Sequence, residues 1–125
     1  MIIRNFKPKD AQQVIELWKK TNLYYKPWDK EKNLLKKHKI DPGLFLVAEE
    51  NDNIVGVIVA NYDGWGASIH HLAVNPEMQG KGIGAELMTN LENRLKQKGA
   101  ETVFLFTLPK SSSIPFYKKM GYNHW

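Results

Sequence analysis

The chain has 125 residues, 42% of them hydrophobic, which is enough for one packed core, so a single domain over residues 1–125 is expected. It contains no cysteine, which excludes disulfides, thiolate metal sites and a cysteine nucleophile. Eighteen Lys+Arg against thirteen Asp+Glu leave a formal charge of +5, which favours an anionic partner; the lysines are scattered and the aromatic-plus-basic signatures of RNA-binding domains are missing, so nucleic acid is not the expected one.

The opening Ile2-Ile3-Arg4 reads as a short strand, with charges where a signal peptide needs an apolar run. No stretch approaches a membrane span, and the expected location is cytoplasmic, with no membrane partner. After Pro8, the residues Ala11, Val14, Ile15 and Trp18 return at helical spacing, with Asp10 in the first turn where a carboxylate suits the helix dipole. This helix ends near Asn22. A second, more basic helix is predicted from Asp29 to Lys39, with Leu34 and Leu35 as its apolar contacts, and Asp41-Pro42-Gly43 stops it.

Leu44 to Glu49 and Ile54 to Ala60, joined by Asn51-Asp52-Asn53, read as a β-hairpin, and Tyr62-Asp63-Gly64 is the next turn. Ile69 to Val74 is a further strand. A long helix follows from about Gly82 to Lys98, its Ile83, Leu87, Leu91 and Leu95 stepping by four, with Gly99 where a left-handed cap belongs. Thr102 to Leu108 reads as a strand, Ser113 to Met120 as a short helix, and Gly121-Tyr122 as the start of a last strand. The order β-α-α-β-β-β-α-β-α-β is an α/β arrangement in which an antiparallel meander meets a strand-helix-strand crossover, giving a mixed sheet.

Between the fourth strand and the long helix lies Gln79-Gly80-Lys81-Gly82-Ile83-Gly84, with glycines at alternate positions. Glycine permits positive φ and leaves backbone N–H groups uncovered, and the helix start adds unpaired donors and partial positive charge, so the segment suits a diphosphate. Lys81 agrees, because a cation at a helix N-terminus is disfavoured unless an anion lies nearby. Two other phosphate loops fit poorly. A Walker loop needs Ser or Thr after Gly-Lys, but Gly82 stands there, and a dinucleotide fingerprint spaces its glycines differently and opens the first βαβ unit.

The run from Leu72 to Gly84 resembles the acyl-CoA-binding motif of the GNAT N-acetyltransferases, Arg/Gln-x-x-Gly-x-Gly/Ala, in which Gln79, Gly82 and Gly84 match. Phe116-Tyr117-Lys118-Lys119-Met120-Gly121-Tyr122 is similar to the family's Phe-Tyr-x-x-x-Gly-Phe/Tyr segment, and the element order agrees from Ile2 to Tyr122. Pro27-Trp28-Asp29 and Tyr62-Asp63-Gly64 resemble a subgroup of small bacterial members.

The resemblance implies acetyl-CoA as cosubstrate, no metal, and direct attack of a free amine on the thioester in a ternary complex. It implies that the backbone of Leu72 and Val74 pairs with the pantetheine arm, that a main-chain group near Leu72 polarises the carbonyl, and that Gln79, Gly80, Lys81, Gly82, Ile83, Gly84 and Ala85 hold the pyrophosphate. Tyr117 falls where the family's proton donor to the thiolate stands; its alternative is a core tyrosine beside Phe116. Ser68 takes the position more often held by a glutamate base, and His70 is the candidate base in its place, against a water chain. Strand alternation predicts His70 on one face with Ser68 and Leu72, and His71 on the other. The four histidines, His38, His70, His71 and His124, show no metal-ligand spacing.

Tyr24, Tyr25 and Trp28 are expected as wall residues of the acceptor site, or as packing between helices. Lys110, followed by Ser111, Ser112 and Ser113, replaces the asparagine common in relatives. Relatives also continue through a full last strand after this Gly-Tyr pair, whereas Asn123, His124 and Trp125 complete this sequence. The sheet edge this would expose leaves two readings, a homodimer that covers it or a shortened, weakly active form. The rival function is a non-catalytic acyl-CoA-binding or interaction module of the same fold.

Overall fold

The computed structural model describes residues 1–24, 26–105 and 113–123. Strand β1 (Ile2–Asn5) is followed by helices α1 (Ala11–Lys20) and α2 (Glu31–Ile40), then by β2 (Phe45–Glu50), β3 (Asn53–Tyr62) and β4 (Ala67–Val74). Helix α3 (Ile83–Gln97), strand β5 (Val103–Leu105) and helix α4 (Ile114–Lys119) complete the described elements. The five strands form one sheet in the order β1-β2-β3-β4-β5, antiparallel up to β4 and parallel between β4 and β5. This is the mixed α/β arrangement expected from the residue periodicities.

Two apolar layers hold the sheet. On one face Leu44, Leu46, Ala48, Ile58, Ala60 and Ile69 meet Ile83, Leu87, Met88, Leu91 and Leu95 of α3, so the four-residue step marks the buried stripe. Phe116, Tyr117 and Met120 of the α4 region join this layer. On the other face Phe45, Val47, Val57 and Ala73 meet Val14, Ile15, Leu17 and Trp18 of α1 and Leu34 of α2.

Local chemistry sets the joints. Asn51 (φ 52°) and Asp52 (φ 65°) both take the left-handed conformation that a two-residue hairpin turn requires, and Asn53 already belongs to β3. Asp10 stands at the N-cap of α1 and is buried; the Arg4 guanidinium donates to both of its oxygens at 2.8 and 3.0 Å and to Glu49 Oε1 at 2.6 Å. Its carboxylate therefore ties β1 to α1, beyond the dipole effect read from sequence. Gly99 is left-handed (φ 101°) and closes α3, as expected. Among the described residues no helix is long and apolar enough to cross a membrane.

Several element boundaries differ from expectation. Asp29 lies before α2 and is buried outside it. Of the strand expected at Thr102 to Leu108, Val103–Leu105 is formed, Thr102 precedes it, and 106–108 lie outside the described residues. No strand is formed over 121–123: Gly121 turns with φ 98°, and the Tyr122 hydroxyl donates to Glu92 Oε2 of α3 at 2.7 Å. A helix-side anchor thus takes Tyr122, while His124 and Trp125 fall outside the described residues.

Candidate functional site

The link from β4 to α3 is built by short-range chemistry. The Asn75 N–H donates to the Val55 carbonyl at 2.8 Å, and the Asn75 side chain accepts from the Glu77 N–H at 3.1 Å, which shapes the turn over Pro76–Met78. Gly80 and Gly82 both have φ of 83°, and Gly82 is the residue from which α3 departs. A side chain added at Gly80 or Gly82 would meet no atom within 4 Å, so both glycines face open space. Gly84 differs: a Cβ there would stand 3.4 Å from the Phe116 ring and 3.7 Å from Val74, so its smallness serves the close approach of α4 to the head of α3.

Among the described residues no acceptor pairs with the N–H groups of Gly82, Ile83, Gly84 and Ala85, while Glu86 N–H starts the helical series on the Gly82 carbonyl. Ile83 is buried and anchors the first turn of α3 in the core. Gln79 is exposed and donates from Nε2 to the Val74 carbonyl at 3.3 Å; Lys81 is exposed, with Nζ 3.9 Å from Met78 Sδ. A helix head with free donors, open space and a nearby cation suits a multiply charged anion.

Strand β4 departs from simple alternation. Val59 pairs with His70 and Val57 with Ala73, so His71 and Leu72 together stand opposite Ile58, and His71 has φ of 53°. The extra residue of this bulge reverses the facing beyond it. Before it, Ala67 and Ile69 pack on the α3 side; after it, Leu72 and Val74 do. The expectation that His70 shares a face with Leu72 and opposes His71 is therefore incorrect. Ser68, His70 and His71 all address the α1 and α2 side: His71 stacks on Trp18 of α1 at 4.6 Å between ring centroids, and the Lys37 charge on α2 acts on His70.

Ser68 Oγ and His70 Nε2 lie 2.9 Å apart. Burial, then the charges of His71 and Lys37, hold His70 below the ordinary histidine pKa, which favours the neutral, proton-accepting imidazole at neutral pH. Sequence reasoning passed over Asp29, whose carboxylate lies 3.1 Å from His71 Nε2. Its signal was the Pro27-Trp28-Asp29 run, noted as a motif but not as a buried acid.

Tyr117 is half-buried on the α3 side, edge-on to Phe116 at 5.2 Å and to Tyr122 at 6.4 Å, and burial pushes its hydroxyl pKa up. No contact joins it to His70, which lies on the other side of the sheet. Tyr24 packs partly against the α1 layer with Lys19 Nζ 5.1 Å over its ring, and Trp28 is 58% exposed. Tyr25 and Lys110 to Ser112 lie outside the described residues. The pairing of β4 with β5 is described for Ala67 to Ile69 against Val103 to Leu105. A recess of about 490 Å³ lies elsewhere, between α1, the β2–β3 turn and Asn75 to Met78, and includes neither His70 nor Tyr117.

Comparison with known proteins places this mixed sheet and its helices among the acyl-CoA-dependent N-acetyltransferases. The profile of the Acetyltransferase (GNAT) family matches residues 11–122, and the chain belongs to that family. Ard1 from Thermoplasma volcanium is 28% identical over 96% of this chain and 80% of that one, with a TM-score of 0.84. Naa20 from Chaetomium thermophilum, solved in complex with a bisubstrate analogue, is 28% identical over 96% and 70% of the two chains, with a TM-score of 0.78. The PaiA N-acetyltransferase from Thermoplasma acidophilum, solved in complex with coenzyme A, shares the fold with a TM-score of 0.82 at 24% identity, over 95% and 87%.

Proposed function

We propose that the protein transfers the acetyl group of acetyl-CoA to a primary amine, borne by a small molecule, peptide or protein, by direct attack within a ternary complex. The observation that carries this reading is the head of α3, where Gly82 at φ 83° faces open space and the N–H groups up to Ala85 lack acceptors among the described residues. That nest takes the pyrophosphate, with Gln79, Gly80 and Lys81 beside it and Leu72 and Val74 offering backbone to the pantetheine arm. The coenzyme A and bisubstrate complexes of PaiA and Naa20 support the assignment.

In the transfer, the amine nitrogen bonds to the thioester carbon, the oxyanion collapses and the carbon–sulfur bond breaks. His70, held neutral by burial and neighbouring charge, accepts the amine proton, directly or through Ser68 or water. Tyr117, kept protonated by burial, supplies a proton to the departing thiolate. Tyr24 and Trp28 border the acceptor, and the net charge of +5 favours a neutral or acidic one.

Calorimetric titration with coenzyme A, then thiol release from acetyl-CoA across amines, amino acids and peptides with products weighed by mass spectrometry, tests the proposal. Binding followed by release with an acetylated product is expected. Absence of coenzyme A binding would end the reading, and binding without release from any amine identifies a non-catalytic module instead.

A further inference from the structure

The connection between α1 and α2 is mostly exposed at Lys26, Pro27, Trp28 and Lys30, yet Asp29 within it is 5% exposed. A buried carboxylate is costly unless partners compensate it, and one partner here, His71, is 42 residues away in sequence at 3.1 Å. His71 is itself unusual, a non-glycine residue at φ 53° inside the β4 bulge with its ring against Trp18. Both costly features persist where the surrounding structure holds them. At the residue before Asp29, the Trp28 carbonyl accepts from Asn33 Nδ2 of α2 at 2.8 Å.

We propose that the Asp29–His71 bond latches the α1–α2 connection onto the bulge of β4 and so positions the amine acceptor beside Ser68 and His70. Both are positioning residues, and the inference rests on the acetyl-transfer reading. The latch joins the connection that carries Trp28 to the strand that carries His70, so acceptor placement and transfer geometry are set by one contact.

The test uses Asp29→Asn, His71→Gln and the double variant. Each single change is expected to raise the acceptor KM about tenfold, a mid-range coupling for contacting residues, with coenzyme A affinity unchanged. The double variant should fall clearly short of the product of the two singles, since both changes act on the same contact. Amide exchange over residues 26–33 should quicken about tenfold in both singles while α3 stays protected. Unchanged exchange over 26–33, or single effects that multiply in the double, would overturn the proposal. Asp29→Asn preserves the buried volume, so loss of α3 protection in that variant also overturns it, by making the bond a support for the whole fold. Should the wild type bind coenzyme A but acetylate no amine, the transfer reading fails, and with it the acceptor role; the exchange measurement then decides whether the latch itself exists.

Discussion

The two faces of the central sheet solve different problems with the same strands. The face under α3 is continuous hydrocarbon, from Leu44 and Leu46 through Ile58 and Ile69 to Leu87 and Leu91, all of them buried. The face under α1 and α2 is apolar at β2 and β3, but along β4 it turns polar at Ser68, His70 and His71, with Asp29 and Lys37 nearby. Polar groups can be kept on one face because the other supplies the cohesion; truncation of the aliphatic side chains under α3 should therefore register as stability, and changes to the polar groups of β4 as chemistry.

The sharpest way to break that division is Leu91→Ala. Leu91 is fully buried, so denaturant unfolding should show a loss of about 3 kcal/mol from burial and cavity together, with coenzyme A affinity of the folded protein unchanged. Lost affinity without lost stability would erase the distinction. Next in size, Gly82→Val places a β-branched residue at φ 83° and covers the donors at the head of α3, and calorimetry should show coenzyme A affinity falling about 100-fold, equivalent to about 2.7 kcal/mol. Unaltered affinity would remove the nest from the site.

Tyr117→Phe keeps the ring packing against Phe116 and removes only the hydroxyl, so steady-state assays should find turnover lowered by at least about tenfold at constant coenzyme A affinity. A loss of stability with turnover intact would return Tyr117 to the apolar face as a core residue. The smallest effect is on pH dependence. His70 titrates lower in the folded chain than in the unfolded one, so on acidification the unfolded chain takes up the proton first. Stability should then fall as pH drops through the ordinary histidine value of about 6.5 and level off below the lowered one. Thermal melts of His70→Gln should lack this acid-side decline, and the acid limb of its pH–rate profile should shift; an unaltered profile excludes His70 as the base.

Much of this molecule was legible in the residues. The four-residue step of Ile83, Leu87, Leu91 and Leu95 marks a helix with one buried stripe, and Asn51-Asp52 marks a hairpin turn, because both depend on neighbours within a few positions. The glycines at 80 and 82 likewise announced left-handed backbone before a helix start. Alternation failed at His70 and His71 because it assumes an unbroken ladder, and the bulge is a property of two strands in register. The final strand expected from Gly121 is not formed over 121–123, where Tyr122 instead bonds to Glu92, a residue 30 positions earlier.

By itself, then, the sequence determined the elements from β1 to α4, their order, the glycine-rich turn and the family resemblance, since each rests on local conformational preference or on a motif of contiguous residues. Only the tertiary structure decided that His71 joins Ser68 and His70 on one side of the sheet, that Gly84 makes room for Phe116, and that Asp29 is buried against an imidazole. Those outcomes depend on register and long-range packing, in which the energy of a side chain is set by partners that one-dimensional spacing does not name.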